Sequence, residues 1–184
     1  MRSAKRMASA TAAAVALATL SLAGAAAQAA DEHTPFVLTA YINGAGGENL
    51  VAGKYAVALG EVQGSKANPI TASSYQTNLC VARTALRQWN EARVACAAAI
   101  KDAERSKPRG FYGSSLGDAA QHNTYIAIAY SNRAVVNWLS KETVAAAEDL
   151  AKAHKLAPQA DFVARNVAAF KAPHDTVRQV AVTP

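Results

Sequence analysis

The feature that most constrains the fold of this chain is a recurrence of small residues beside aromatic ones at a fixed spacing. Tyr55 precedes Ala58 by three residues, and Trp89 precedes Ala92 in the same way. A third segment, residues 129–158, has a similar order of small and large residues. The interval from Ala58 to Ala92, about 34 residues, indicates a repeat protein in which each unit is one pair of helices.

The residue types after Ser73 favour helices throughout. Ala, Leu, Val, Arg, Lys and Glu dominate at helical spacing, and runs of β-branched residues are few. Small residues let two helices approach closely while larger neighbours fill the gaps beside them. We therefore expect an all-α fold built from antiparallel helical hairpins.

The third segment, residues 129–158, closely resembles a tetratricopeptide repeat. Ala134 occupies the small position of the first helix, Ala146 and Ala153 occupy those of the second helix, and Pro158 is the terminating proline. The resemblance implies a short tetratricopeptide-repeat-like solenoid.

The resemblance covers residues 53–158 and departs from the repeat at three points. Arg133 and Asn137 replace residues that are usually Leu and Tyr, and Glu104 stands where a proline is expected. About 20 extra residues separate the second and third units, and they include a loop at 105–117.

These features divide the chain into segments of different character. A helix at residues 161–170 has one apolar face, which can cover the last repeat and close the solenoid at its C-terminal end. We expect a signal peptide at 1–29, an irregular N-terminal arm at 30–47, a helical domain at 48–170 with the 105–117 loop as an insertion, and a flexible tail at 171–184.

The N-terminus is typical of a secretory signal peptide. Three basic residues and no acid lie in the first six positions, and an uncharged run rich in Ala and Leu fills residues 7–30. Ala27 and Ala29 are small residues at the two positions that signal peptidase recognises, so we expect cleavage after Ala29 or, as second choice, after Ala30. The alternative is an uncleaved anchor helix, but Ala is only weakly apolar for such a role.

Cleavage after Ala29 has consequences for localisation and partners. The product would keep 155 of the 184 residues, enough for one domain, and its formal charge would fall from +6 to +3. That charge is too small and too dispersed to indicate nucleic-acid binding. We expect an exported protein without membrane insertion after cleavage, periplasmic in a Gram-negative host and otherwise secreted.

Cys80 and Cys96 are the only cysteines of the chain. The resemblance places Cys80 on the first helix of the middle unit, against the second helix, which carries Cys96. In an exported protein this arrangement predicts a disulfide. The alternative is a pair of buried thiols that act as small hydrophobic side chains.

Asn78 and Asn132 occupy the same position in their two first helices. In peptide-binding tetratricopeptide domains this position faces the concave groove, where Asn can bind the backbone or a carboxylate of a ligand. The resemblance therefore implies partner-binding candidates at Asn78, Asn132 and the neighbouring Thr77 and Ser131, although the basic residues of a carboxylate clamp cannot be placed. The alternative is that these are solvated polar residues on a helix face.

The sequence contains no readable catalytic constellation, because its four histidines are scattered and no nucleophile motif or paired carboxylates stand out. We expect a non-catalytic scaffold that binds a protein or peptide in its concave groove and needs no cofactor. A second hypothesis is a small-ligand-binding protein or enzyme, whose site the 105–117 loop forms over the groove with Arg109, Phe111 and Tyr112. A third is a stability module that has no ligand.

His33 allows one metal hypothesis. If cleavage follows Ala30, the mature chain begins Asp31-Glu32-His33, and the free amine, two backbone amides and the imidazole can form a square-planar site for Cu²⁺ or Ni²⁺. The interpretation that we favour is an ordinary histidine in a frayed terminus.

The signal-peptide prediction is tested by the intact mass of the exported product. We expect a mass that lacks residues 1–29 or 1–30, because the small-residue box directly follows a short apolar run. A product that retains Met1 to Gln28 would contradict it. The same spectrum decides the copper hypothesis, which requires Asp31 as the first residue.

Overall fold

A computed structural model of the chain describes residues 36–66, 72–106, 115–172 and 180–184, apart from the side chains of 115–118. These residues belong to one compact unit. The elements are β1 (Phe36–Thr39), α1 (Gly47–Val51), α2 (Tyr55–Gly64), α3 (Ala72–Ala85), α4 (Trp89–Arg105), α5 (Ser115–Leu139), α6 (Thr143–Leu156), α7 (Asp161–Lys171) and β2 (Val180–Thr183). None of the helices described is both long and apolar enough to cross a bilayer.

Three helical hairpins, α1–α2, α3–α4 and α5–α6, share one type of turn within the described part of the chain. Gly53, Arg87 and Lys141 each adopt a positive φ, of 73°, 58° and 67°. In each turn the next residue donates its N–H to the carbonyl five residues earlier, at 2.8 to 2.9 Å. This pattern ends a helix and reverses the chain. The interval from Gly53 to Arg87 equals that from Ala58 to Ala92, so the turns recur at the spacing of the small residues.

The small residues that the sequence pattern selects lie where helices touch. Ala58, Ala92, Ala134 and Ala146 are completely buried. Their burial agrees with close helix–helix approach through small side chains. The expected all-α class is therefore confirmed, while the assignment to the tetratricopeptide repeat stays a prediction.

The α3–α4 hairpin is cross-linked by the predicted disulfide between Cys80 and Cys96, whose Cα atoms lie 4.9 Å apart. Both residues are buried in a core cluster that also contains Ala92, Ala95 and Val136. The bond closes a loop with a sequence separation of 16, which contributes about 3 kcal/mol in the chain-entropy model.

A buried ion pair joins α5 to α6. Arg133 donates through Nε and Nη2 to the two carboxylate oxygens of Asp149, both at 2.7 Å, and Asn137 donates to the same carboxylate at 3.0 Å. Asp149 is 3% exposed, so its charge needs these partners. The hydrogen bonds to Asp149 raise the pKa of Arg133 above its ordinary value. Arg133 and Asn137 therefore depart from the repeat pattern at positions where Arg133 balances the charge of a buried acid and Asn137 donates a hydrogen bond to it.

The two chain ends differ from the expected irregular arm and flexible tail. β1 lies within the segment 30–47 and β2 within 171–184, and the two strands pair in parallel, with Phe36 opposite Val180 and Thr39 opposite Thr183. Each strand has only four residues. Such short strands carry little local pattern, and long-range contacts decide whether they form.

The disulfide is tested by thiol titration of the unfolded, unreduced protein, which should find almost no free thiol. Cys80→Ser should lower the melting temperature under oxidising conditions, because the unfolded chain loses a cross-link.

Reductant supplies the control for this comparison. It should bring the wild type and Cys80→Ser close together in melting temperature. Two reactive thiols per unreduced chain would contradict the bond.

Candidate functional site

β1 crosses one face of the helical domain, to which α3, α5 and α7 contribute. We call this face the groove. Three helices each direct one asparagine at the strand: α3 carries Asn78, α5 carries Asn132 and α7 carries Asn166. All three side chains are buried, with at most 1% of their surface exposed. We call these three residues the asparagine ladder.

Each member of the asparagine ladder binds both main-chain groups of one residue in β1 or just after it. Asn132 accepts the N–H of Thr39 through Oδ1 and donates through Nδ2 to its carbonyl, both at 2.8 Å. Asn166 makes the same pair of bonds with Val37, at 2.6 and 2.8 Å. A primary amide carries a donor and an acceptor in the spacing of a peptide group, so each Asn replaces one residue of a neighbouring strand.

Asn78 completes the ladder at the C-terminal end of β1. It accepts the N–H of Tyr41 at 2.8 Å and donates to the Tyr41 carbonyl at 2.9 Å. Its Nδ2 also donates to the carbonyl of Ala45 at 3.0 Å. The ladder thus binds every second residue of the extended segment, which is the period at which main-chain groups of a strand point to the same edge.

The opposite edge of β1 pairs with β2. The parallel register sets Phe36 and Leu38 opposite Val180 and Val182, and Ala40 donates its N–H to the carbonyl of Thr183 at 2.8 Å. β1 therefore has a strand along one edge and side-chain amides along the other. Its main-chain groups find partners on both edges.

A glycine turn connects β1 to α1 and holds the strand in the groove. Gly46 has φ 71°, and a Cβ there would lie 2.6 Å from the carbonyl oxygen of Ala58. A Cβ at Gly47 would collide with the carbonyl oxygen of Tyr41. Only glycine fits such close backbone approaches, so the sequence of this turn matches the enclosed position of β1.

The structure brings the predicted partner-binding residues together but covers them with the protein's own strand. Asn78 and Asn132 bind β1, and Ser131 accepts a hydrogen bond from Asn166 at 2.8 Å. Thr77 is 1% exposed, and its hydroxyl has no hydrogen-bond partner among the described residues. The binding of an external partner by these four residues stays a prediction.

Asn166 and β1 are elements of the groove that the sequence interpretation missed. Asn166 follows Asn132 at the same interval that separates Ala92 from Ala58, and both asparagines begin an Asn-x-Ala sequence. This periodicity could have identified α7 as a further first helix. The sequence pattern indicates only a closing role for residues 161–170, because their single apolar face can cover the last repeat.

Tyr41 anchors the end of the strand. Its ring contacts that of Tyr125 with the centroids 5.8 Å apart. Burial, assisted by Tyr125, raises the pKa of Tyr41 well above its ordinary value, although a hydrogen bond with Ser73 opposes the shift. The phenol therefore stays neutral at physiological pH and serves as a packing group.

The described residues contain no group of three or more His, Cys, Asp or Glu side chains that could hold a metal ion. His33 and the loop residues Arg109, Phe111 and Tyr112 lie outside the described ranges. The copper hypothesis and the loop-site hypothesis therefore stay predictions.

Comparison of the chain with protein-family models, curated proteins and solved structures gives no match in any of the three. The geometry of the groove therefore carries the functional argument.

Asn132→Ala should lower the free energy of unfolding by at least about 2 kcal/mol, because it leaves a buried N–H and a buried carbonyl of Thr39 without partners. Denaturant unfolding measures this difference.

Asn90→Ala is the matched control, since Asn90 is an exposed helix residue that bonds only to the nearby Arg93. It should change the unfolding free energy by less than about 0.5 kcal/mol. Equal effects of the two substitutions would contradict the structural role of the asparagine ladder.

Proposed function

We propose that this protein is an exported, non-catalytic helical-repeat protein that binds an extended segment of a partner protein in its groove. One observation carries the proposal: Asn78, Asn132 and Asn166 each bind the N–H and the carbonyl of alternate residues in an extended chain. In the structure that chain is β1 and its continuation to Tyr41.

Recognition of the main chain supports binding of a polypeptide in preference to a small molecule. Every non-proline residue offers the same N–H and carbonyl, so a ladder of amides is complementary to any strand. The described residues with shifted pKa values have packing or pairing partners that account for the shifts: Tyr41 is buried, Tyr130 is partly buried and bonds to Glu104, and Arg133 bonds to Asp149. These contacts account for the shifted pKa values, and a binding role is compatible with them because it needs no reacting group.

Export supports a partner outside the cytoplasm. The signal-like N-terminus and the Cys80–Cys96 disulfide both favour an oxidising compartment. The partner would then be another exported polypeptide.

Binding in the groove requires exchange with β1. A segment tethered through a short turn has an effective concentration in the millimolar range. An external segment therefore competes with β1 only when it binds more tightly or when β1 is released. Ile42 and Asn43, which follow the strand, are exposed, so the connection is accessible at this point.

The experiment cuts the chain after β1, so that the strand is present but no longer covalently joined to the helical domain. A protease site is inserted between Ile42 and Asn43 of the mature chain, and the folded protein is then cleaved. The insertion disturbs the turn hydrogen bond from Gly44 to Tyr41. The cleaved protein, with its disulfide intact, is unfolded in urea and refolded with a labelled peptide of residues 34–43.

We expect the cleaved protein to take up the peptide, as measured by fluorescence anisotropy. Asn78→Ala combined with Asn132→Ala should weaken uptake by about 1–3 kcal/mol, roughly 5- to 150-fold, because the peptide loses paired amide bonds. Asn90→Ala is again the control and should leave uptake unchanged. Helical circular dichroism without any uptake by the cleaved wild type would refute groove binding.

A further inference from the structure

The side chains of β1 and of the following Ala40 alternate between two faces. One of these faces belongs to a hydrophobic cluster shared with the helices. Phe36, Leu38 and Ala40 are 0%, 0% and 3% exposed, and they belong to one hydrophobic cluster. Their partners come from α1, α2, α3, α5 and α7: Leu50, Ala58, Val81, Ala82, Val135 and Ala169. The asparagine ladder binds the main chain, while this cluster surrounds every second side chain.

The first position accommodates an aromatic ring. Phe36 packs against Trp138 with the ring centroids 4.8 Å apart and the planes inclined by 54°. Such a tilted pair contributes beyond the burial of its area. Truncation of this ring would leave a large cavity beside Trp138.

The third and fifth positions differ in the size that they accept. Leu38 fills its site completely with an aliphatic side chain. Ala40 is enclosed in the same cluster, and a larger side chain there would overpack the core. The second and fourth positions are enclosed as well, because Val37 is 1% and Thr39 6% exposed. The fourth position needs no polar group, since the hydroxyl of Thr39 is buried without a hydrogen-bond partner among the described residues.

We infer that the groove selects exported polypeptide segments with the pattern aromatic, small β-branched, aliphatic, small β-branched, small, as in Phe36-Val37-Leu38-Thr39-Ala40, since all five side chains are buried. This inference rests on the proposed function and adds the identity of the partner segment. The direction is also set, because Asn166 binds the second residue of the pattern and Asn132 the fourth. The segment must run from α7 towards α3, parallel to β2.

The inference is tested with the cleaved, refolded protein and a series of peptides of residues 34–43. The native peptide competes with the cleaved β1 segment for the groove. At tenfold excess over that segment it should occupy about nine tenths of the grooves by mass action. Leu38→Asp should reduce uptake by about 100-fold or more, because it places an unpaired charge in the core. Ala40→Leu should reduce it by roughly 10-fold through overpacking.

Two further peptides serve as matched controls. Thr39→Val keeps the shape and removes only the unpaired hydroxyl, so its uptake should equal or exceed that of the native peptide. The second peptide exchanges Phe36 with Val37 and Leu38 with Thr39. It has the native composition but presents the large side chains to the wrong face, so its uptake should be lost.

The outcomes separate the inference from the function on which it rests. The pattern is supported if the native and Thr39→Val peptides are taken up and the other peptides are taken up more weakly or not at all. Equal uptake of the exchanged peptide would show a groove that recognises only the main chain, which overturns the pattern and leaves groove binding intact. A refolded helical protein that takes up no peptide, not even the native one, would overturn both.

Discussion

A strand enclosed by helices is stable only if its main-chain groups find partners on both edges, because each buried group left unpaired costs about 1–3 kcal/mol. Helices cannot supply these partners through their own backbone, which is used in intrahelical bonds. A side-chain amide can, since it carries a donor and an acceptor together. Asn78, Asn132 and Asn166 meet this requirement along one edge of β1, and β2 meets it along the other.

The same requirement explains the arrangement of the surrounding elements. One asparagine per first helix serves one strand residue in every two, so α3, α5 and α7 must present their asparagines in register. Asn166 also donates to Ser131, which ties α7 to α5. The Cys80–Cys96 bond fixes α3, two residues from Asn78, against α4. α7 is thus part of the face that binds β1. From the sequence alone we expect α7 only to close the helical domain.

Much of the helical architecture could be predicted because its determinants are periodic or local. The buried Ala58 and Ala92 recur at an interval of 34 residues, and the cysteine pair lies on two adjacent helices that pack together. The ion pair of Arg133 with Asp149 could not be predicted, because it depends on which helix faces meet.

β1 was hidden for a different reason. Four residues carry no decisive strand pattern, and the partners of Val37 and Thr39 lie 129 and 93 residues away in the sequence. The interval of 34 residues between Asn132 and Asn166 is a further sequence signal of the face that binds β1, beside the matching positions of Asn78 and Asn132. It becomes informative once a strand is known to lie between the asparagines and β2.

Residue-resolved amide hydrogen exchange tests the central claim most directly. In the wild type the N–H groups of Val37, Thr39 and Tyr41 should be strongly protected although no strand among the described residues pairs with that edge of β1. In Asn166→Ala the amide of Val37 should lose most of its protection, while Tyr41 remains protected by its own asparagine. Fast exchange of all three amides in the wild type, or unchanged protection of Val37 in Asn166→Ala, would contradict the account.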